Sequence, residues 1–126
     1  MNKVVKLTLI SVLFFLYSCA TSMTPVEVYN TLPSLTKSQF VTQSQAEEAM
    51  QTKECKYLVK GRSYLAPIGF STTNDLRNGA KGIDEWVKLD GGNAYVLTNY
   101  KWITVDNSGS TQLFIEFDTL KCNSIL

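Results

Sequence analysis

Two cysteines set the strongest limit on how this chain can fold. Cys55 and Cys122 stand at opposite ends of the most structured stretch of sequence, and the only other cysteine, Cys19, closes an apolar leader. An even pair in an exported chain is expected to form a disulfide; two free or metal-binding thiols are the alternative. A disulfide requires Cα atoms within about 7 Å of each other. Whatever lies between these residues must therefore return to its starting point.

The first residues point to export. Lys3 and Lys6 precede an apolar run from Leu7 to Leu16, and Ser18-Cys19-Ala20 follows. A charged start, a short apolar run and a small residue before cysteine resemble the lipobox of bacterial lipoproteins. Leu16 and Ser18 fit that box, and Tyr17 is a less usual occupant. Residues 1–18 are expected to be a lipoprotein signal peptide and Cys19 the lipidated residue, carrying palmitate among its acyl chains. The run is shorter than the roughly 20 residues a spanning helix needs. Ordinary secretion, with cleavage at the small residues around Cys19, is the rival reading. Ala20, where retention signals place aspartate, favours the outer membrane, with the remaining chain in the periplasm or at the cell surface.

Composition narrows the functional classes. The chain has 126 residues, 12 basic and 11 acidic. That is one domain plus a tether, close to neutral and without a block of like charge, so a nucleic-acid partner is not expected. It has no histidine, which removes most zinc and haem ligation and the usual Ser-His and Cys-His pairs. No cofactor or metal is expected.

Residues 19–43 are rich in Ser and Thr and contain Pro25 and Pro33. They read as a flexible tether with a reach of roughly 27 Å, although Val26, Val28, Tyr29, Phe40 and Val41 offer apolar groups that can dock. A domain over 44–126 follows. Ser44-Gln45-Ala46-Glu47 has the form of a capping box for a short helix over 45–53. From 55 to 65, Tyr57, Val59 and Leu65 alternate with Lys56, Lys60 and Arg62, which predicts a half-buried strand. Leu76, Ala80, Ile83 and Val87, widened by Trp86 and Leu89, predict a helix over 74–90 capped by Thr73 or Asn74. Gly79 and Gly82 beside that stripe allow close approach to a sheet, and Gly91-Gly92 stops the helix. Two strands, 94–105 and 111–121, flank the turn residues Asp106 to Ser110.

A strand–helix–strand unit is a right-handed crossover, which makes its two strands parallel. The disulfide then pulls the last strand between the other two. The expected fold is α+β: a split β-α-β sheet of three strands in order 2-3-1, with one main helix on one face and a short helix before it. One conflict arises. Direct pairing of Cys55 with Cys122 joins odd with even positions, whereas the apolar faces want odd with odd; a bulge, or a disulfide just outside the ladder, would reconcile them.

Centring the turn on Ser108 puts Trp102 opposite Phe114 and Tyr100 opposite Glu116. Leu97, Ile103, Leu113, Ile115 and Phe117 then form the core side. Tyr100, Trp102 and Phe114 would share the face away from the helix, either as a partner surface or beneath the N-terminal segment. Lys56, Lys60 and Arg62 would line one face opposite Glu116 and Asp118, as a paired charged face or as contacts for an anionic lipid or saccharide. Asp84, Glu85 and Asp90 offer carboxylates near a helix end, without the surrounding loops that acid–base chemistry needs. Asn93 suits the tight helix exit. The chain is expected not to be an enzyme.

Four segments carry a family resemblance: Cys55-Lys56-Tyr57-Leu58-Val59-Lys60-Gly61, Asp75-Leu76-Arg77-Asn78-Gly79-Ala80, Gly91-Gly92-Asn93-Ala94-Tyr95-Val96, and Cys122. In order and spacing they resemble the RcsF-like proteobacterial envelope lipoproteins over about residues 55–122. The resemblance implies an anchored, disulfide-bonded α/β domain in stress response, contacting outer-membrane barrel proteins and an inner-membrane regulator. This chain has one candidate disulfide where the sensor has two. Its tether also lacks the sensor's proline- and lysine-rich stretch. An uncharacterised relative of the sensor is therefore the expectation.

Overall fold

The structure is a computed structural model that describes residues 23–105 and 109–124; the expected signal peptide and the expected lipidation site Cys19 lie outside the described residues, as do Asp106, Asn107 and Ser108 of the turn. In chain order the elements are helix α1 (Pro25–Leu35), strand β1 (Gln39–Phe40), helix α2 (Gln43–Gln51), strand β2 (Cys55–Leu65), helix α3 (Thr72–Leu89), and strands β3 (Ala94–Val105) and β4 (Ser110–Cys122). The class is α+β. The sheet has four strands in order β1-β3-β4-β2 rather than three in order 2-3-1. The added strand is β1, which pairs in parallel with the start of β3, Gln39 beside Ala94 and Phe40 beside Tyr95.

That strand, and the helix before it, come from the stretch expected to be a loose tether. From Pro25 onward it is ordered structure. Thr24 caps α1 by accepting from the Glu27 amide, and Pro25 sits in the first turn, where its missing N–H costs nothing. Val28 and Leu32, one helical turn apart, are buried against Leu76, Ala80 and Ile83 of α3 and Tyr95 of β3. The exposed face of this helix carries Glu27, Asn30 and Ser34, and two apolar side chains suffice to dock the other.

Helix α2 begins earlier than expected. Its capping box is Thr42 with Gln45, each side chain bonding the other's backbone amide, so Ser44 and Glu47 do not form it. Likewise Ser71, not Thr73 or Asn74, caps α3 by accepting from the Asn74 amide. The apolar stripe of α3 lies on the sheet, where a Cβ at Gly79 would collide with Ile115 and one at Gly82 with the Tyr64 ring. Both glycines thus permit the close helix–sheet approach. Gly91, at φ +78°, ends the helix in the left-handed conformation.

The sheet carries a core on each face. On the inner face, α1 and α3 cover Tyr95, Leu97, Leu113, Ile115 and Phe117. On the outer face, α2 lays Ala46 and Ala49 over Cys55, Ala94, Val96, Leu120 and Cys122. Cys55 and Cys122 are disulfide-bonded and stand directly opposite each other in the β2–β4 ladder. Two bulges in β2 cancel in parity, so odd positions still face even ones from Arg62 to Leu65. The expected odd-with-odd faces are not formed, and Tyr64 packs on the inner core while Leu65 is exposed. Register shifts in β2 fall between Tyr57 and Val59 and between Val59 and Arg62, and another in β3 falls between Leu97 and Asn99. Gly61, at φ +76°, accommodates the second of these, and its amide donates to Asp118 Oδ1 at 2.8 Å.

Candidate functional site

Helix α2 is only nine residues long, and it covers only the end of the outer face nearest the disulfide. Beyond it no helix among the described residues covers the outer face. The inner face of β4 carries the buried Leu113, Ile115 and Phe117; side chains alternate across a strand, so Phe114, Glu116 and Asp118 point outward. Directly opposed residues share a face. Lys101, Phe114 and Leu65 therefore form one cross-strand row, and Asn99, Glu116 and Ser63 the next. The Lys101 ammonium lies 5.3 Å from the Phe114 ring centre. Leu65 is 49% exposed and Ile103 37%. This mixed apolar and charged surface is the candidate site.

Of the three aromatics expected here, only Phe114 is present. The β3–β4 register places Trp102 opposite Leu113 and Tyr100 opposite Ile115, one residue from the expected pairing. This turns Tyr100 and Trp102 inward and Ile103 outward. The cause is the single extra residue at the β3 bulge, Thr98, which inverts the alternation for everything after it. Tyr100 and Trp102 pack on the inner core. Tyr29 of α1 meets Tyr100 edge-on at 6.3 Å. The same ring meets Phe40 at 5.8 Å, and Phe40 meets Tyr95 at 5.6 Å, so the N-terminal segment contributes to an aromatic seam. Burial pushes the Tyr95 phenol well above its ordinary pKa, opposed by its hydrogen bond to Thr36. The Trp102 Nε1 is buried without an acceptor among the described residues.

The basic residues are dispersed too. The two β2 shifts cancel for Lys56 and Arg62, which stand at opposite ends of the strand, and only Lys60 between them is turned off their side. Lys56 pairs with Lys121 at the disulfide end, and the Lys60 ammonium sits 4.2 Å from the Tyr57 ring centre. Arg62 lies opposite Phe117 on the inner face. There it forms an ion pair with Asp90, donating also from Nε to Oδ2 at 3.1 Å, and its guanidinium lies 4.1 Å from the Trp86 ring centre. Thr119 donates to the same Oδ2 at 2.8 Å. Asp90 is the C-cap of α3, where the helix dipole disfavours a negative charge; Arg62 and Thr119 offset that cost.

The hydrogen bond from Arg62 holds the Asp90 carboxyl below its ordinary value of 3.8, burial opposes this, and the Thr119 bond reinforces it. A carboxyl with a lowered folded pKa contributes stability that is present above pH 3.8 and lost as pH falls through the lower folded value. The stability difference between the parent chain and Asp90→Asn is therefore expected to be largest near neutral pH. It should shrink in acid, as read by urea unfolding at about pH 7 and about pH 2. A difference that grows in acid would contradict this placement.

Of the other two expected carboxylates, Asp84 has structural partners: it accepts the Lys37 and Ser38 amides at 2.8 and 2.9 Å, tying the α1–β1 link to α3. Glu85 is exposed. Asn93 bonds both the amide and the carbonyl of Cys122, each at 2.8 Å, so its side chain extends the ladder beside the disulfide. Sequence reading missed Asp75, which is fully buried; it accepts the Gly69 amide at 2.7 Å and the Thr111 hydroxyl at 2.8 Å. Its position in the first turn of a helix was the one available signal, and that suits many exposed aspartates too. Among the described residues no group of three or more His, Cys, Asp or Glu side chains is placed to hold a metal ion, and no helix is long and apolar enough to cross a membrane.

Comparison of the chain with protein-family models, with curated proteins and with solved structures finds no match.

Proposed function

We propose that this chain is a non-enzymatic, lipid-anchored envelope protein that acts as a protein-binding or stress-sensing module at the outer membrane. The observation that carries the reading is the Cys55–Cys122 disulfide. Such a bond persists in oxidising compartments, and it occurs in a chain whose leader ends at Ser18-Cys19. The outer sheet around Phe114, Leu65 and Lys101 supports a protein partner, because an apolar centre ringed by charge is the usual make-up of a protein interface. The likeness to RcsF-like lipoproteins agrees with that role. A module for envelope lipid or glycan would draw on Lys56, Lys60 and Arg62, and these lie apart, with Arg62 engaged by Asp90.

Palmitate labelling of the parent chain and of Cys19→Ala, followed by envelope fractionation, tests the anchor. Label and outer-membrane residence are expected for the parent and neither for the variant. An unlabelled parent would remove the anchor. For the binding role, crosslinking in intact cells should capture a defined protein with the parent chain and lose it with Phe114→Asp. Equal capture by both would move the interface elsewhere.

A further inference from the structure

The end of the domain opposite the disulfide exposes two apolar side chains, Val26 and Phe70, at the starts of two helices. Helices α1 and α3 both run toward the disulfide end. The α1–β1 link is bonded to Asp84 late in α3, and Thr36 reaches Tyr95 near the start of β3. Earlier in α1, Tyr29 meets Tyr100, further down the same strand. The first turns of both helices therefore sit beside the β3–β4 hairpin end. Val26 in the first turn of α1 is 67% exposed, and Phe70, immediately before the α3 cap, is 85% exposed.

Phe70 is held outward. Its φ is +63°, a conformation that bulky side chains rarely adopt. The loop before it is pinned, with the Gly69 amide on the buried Asp75 and the Gly69 carbonyl accepting from Asn74 Nδ2 at 3.1 Å. Asp75 is in turn bonded to Thr111 of β4. A large aromatic ring is thus presented to the surroundings by a rigid, internally bonded turn.

The chain itself says what lies against this end. Cys19 is only four positions before Met23, the first described residue, so covalent geometry holds it within about 14 Å of that residue. We propose that this end of the domain rests on the phospholipid surface, with Phe70 inserted at the headgroup–acyl boundary and Val26 beside it. The inference rests on lipidation of Cys19, and it adds an orientation that lipidation alone does not impose. A long tether would leave the domain free to tumble. With α1 docked, the leash is short, and the nearest exposed apolar side chains meet the bilayer, where interfacial aromatic rings are favoured.

The test uses the full chain, purified from envelopes and reconstituted into phosphatidylethanolamine–phosphatidylglycerol vesicles with brominated acyl chains, which quench nearby tryptophan. Phe70→Trp and Val26→Trp each add a probe to the native Trp86 and Trp102. Leu89→Trp adds one at the far end of α3, where Leu89 is 76% exposed. Mass spectrometry reports acylation, and flotation reports vesicle attachment. The expected result is an acylated, floating chain in which Phe70→Trp and Val26→Trp lose about half of their added fluorescence, while Leu89→Trp loses none. If the chain is acylated and floats but Phe70→Trp is quenched no more than Leu89→Trp, the orientation is overturned and the anchor stands. An unacylated chain overturns both.

Discussion

Replacing Cys55 with serine is expected to lower the free energy of unfolding by about 4 kcal/mol. The bond joins positions separated by 67 residues, and closing so long a loop removes much of the freedom of the unfolded chain. Domains of this size have roughly 5–15 kcal/mol in total, so the variant should be close to the limit of folding. The folded geometry makes the loss concentrated. Strand β2 lies at the sheet edge, held on one side by β4, and two register shifts interrupt that pairing. At the disulfide end the remaining ties include the Asn123 amide on the Glu54 carbonyl at 2.8 Å, Asn123 Nδ2 on the Lys53 carbonyl at 3.3 Å and Ser124 Oγ on Glu54 at 3.2 Å, beside the Tyr57–Leu120 and Lys56–Lys121 pairs. Urea unfolding of the parent, with and without reductant, and of Cys55→Ser should show the midpoint falling by about 2–3 M. Cys122→Ser should match it, and the double variant should lose nothing more. A shift below about 1 M would mean that packing of α2 on this end holds β2 without the covalent link.

Leu32→Ala is expected to cost about 2–4 kcal/mol. Leu32 is 1% exposed and packs with Val28 into the inner core formed by α3 and the sheet. A leucine in a loose tether would cost nothing when shortened, so the measurement separates the docked helix from the tether directly. Val26→Ala, on the exposed side of the same helix, is the control and should change stability by less than about 0.5 kcal/mol. Equal, small effects from both would detach α1 from the core. They would also remove a premise of the proposed membrane-facing orientation.

Features with strong local chemistry were readable from the residues. The apolar stripe of α3 repeats at helical spacing, and Gly79 and Gly82 lie where the sheet comes closest. The β3–β4 hairpin has alternating strands around a polar turn. Features that depend on counting residues across a strand were not. Thr98 has no property that marks it as an extra residue, yet its presence between Leu97 and Asn99 turns Tyr100 and Trp102 from the outer face to the inner. Gly61 did carry a signal, since glycine within a strand often marks a bulge, but not the number of bulges. Helix α1 was legible in part. Thr24, Pro25 and Glu27 form a helix start, and the surrounding Ser, Thr and Pro33 outweighed them in a reading by composition.

The sequence by itself determined the pairing of Cys55 with Cys122, the α+β class and the main helix. Each of these follows from chemistry or periodicity within a short window. Tertiary structure alone decided which side chains face water, because one unmarked residue in a strand inverts every position after it. It also decided that the supposed tether is a helix and an edge strand, since Val28 and Leu32 can be recognised as core only once a core stands opposite them.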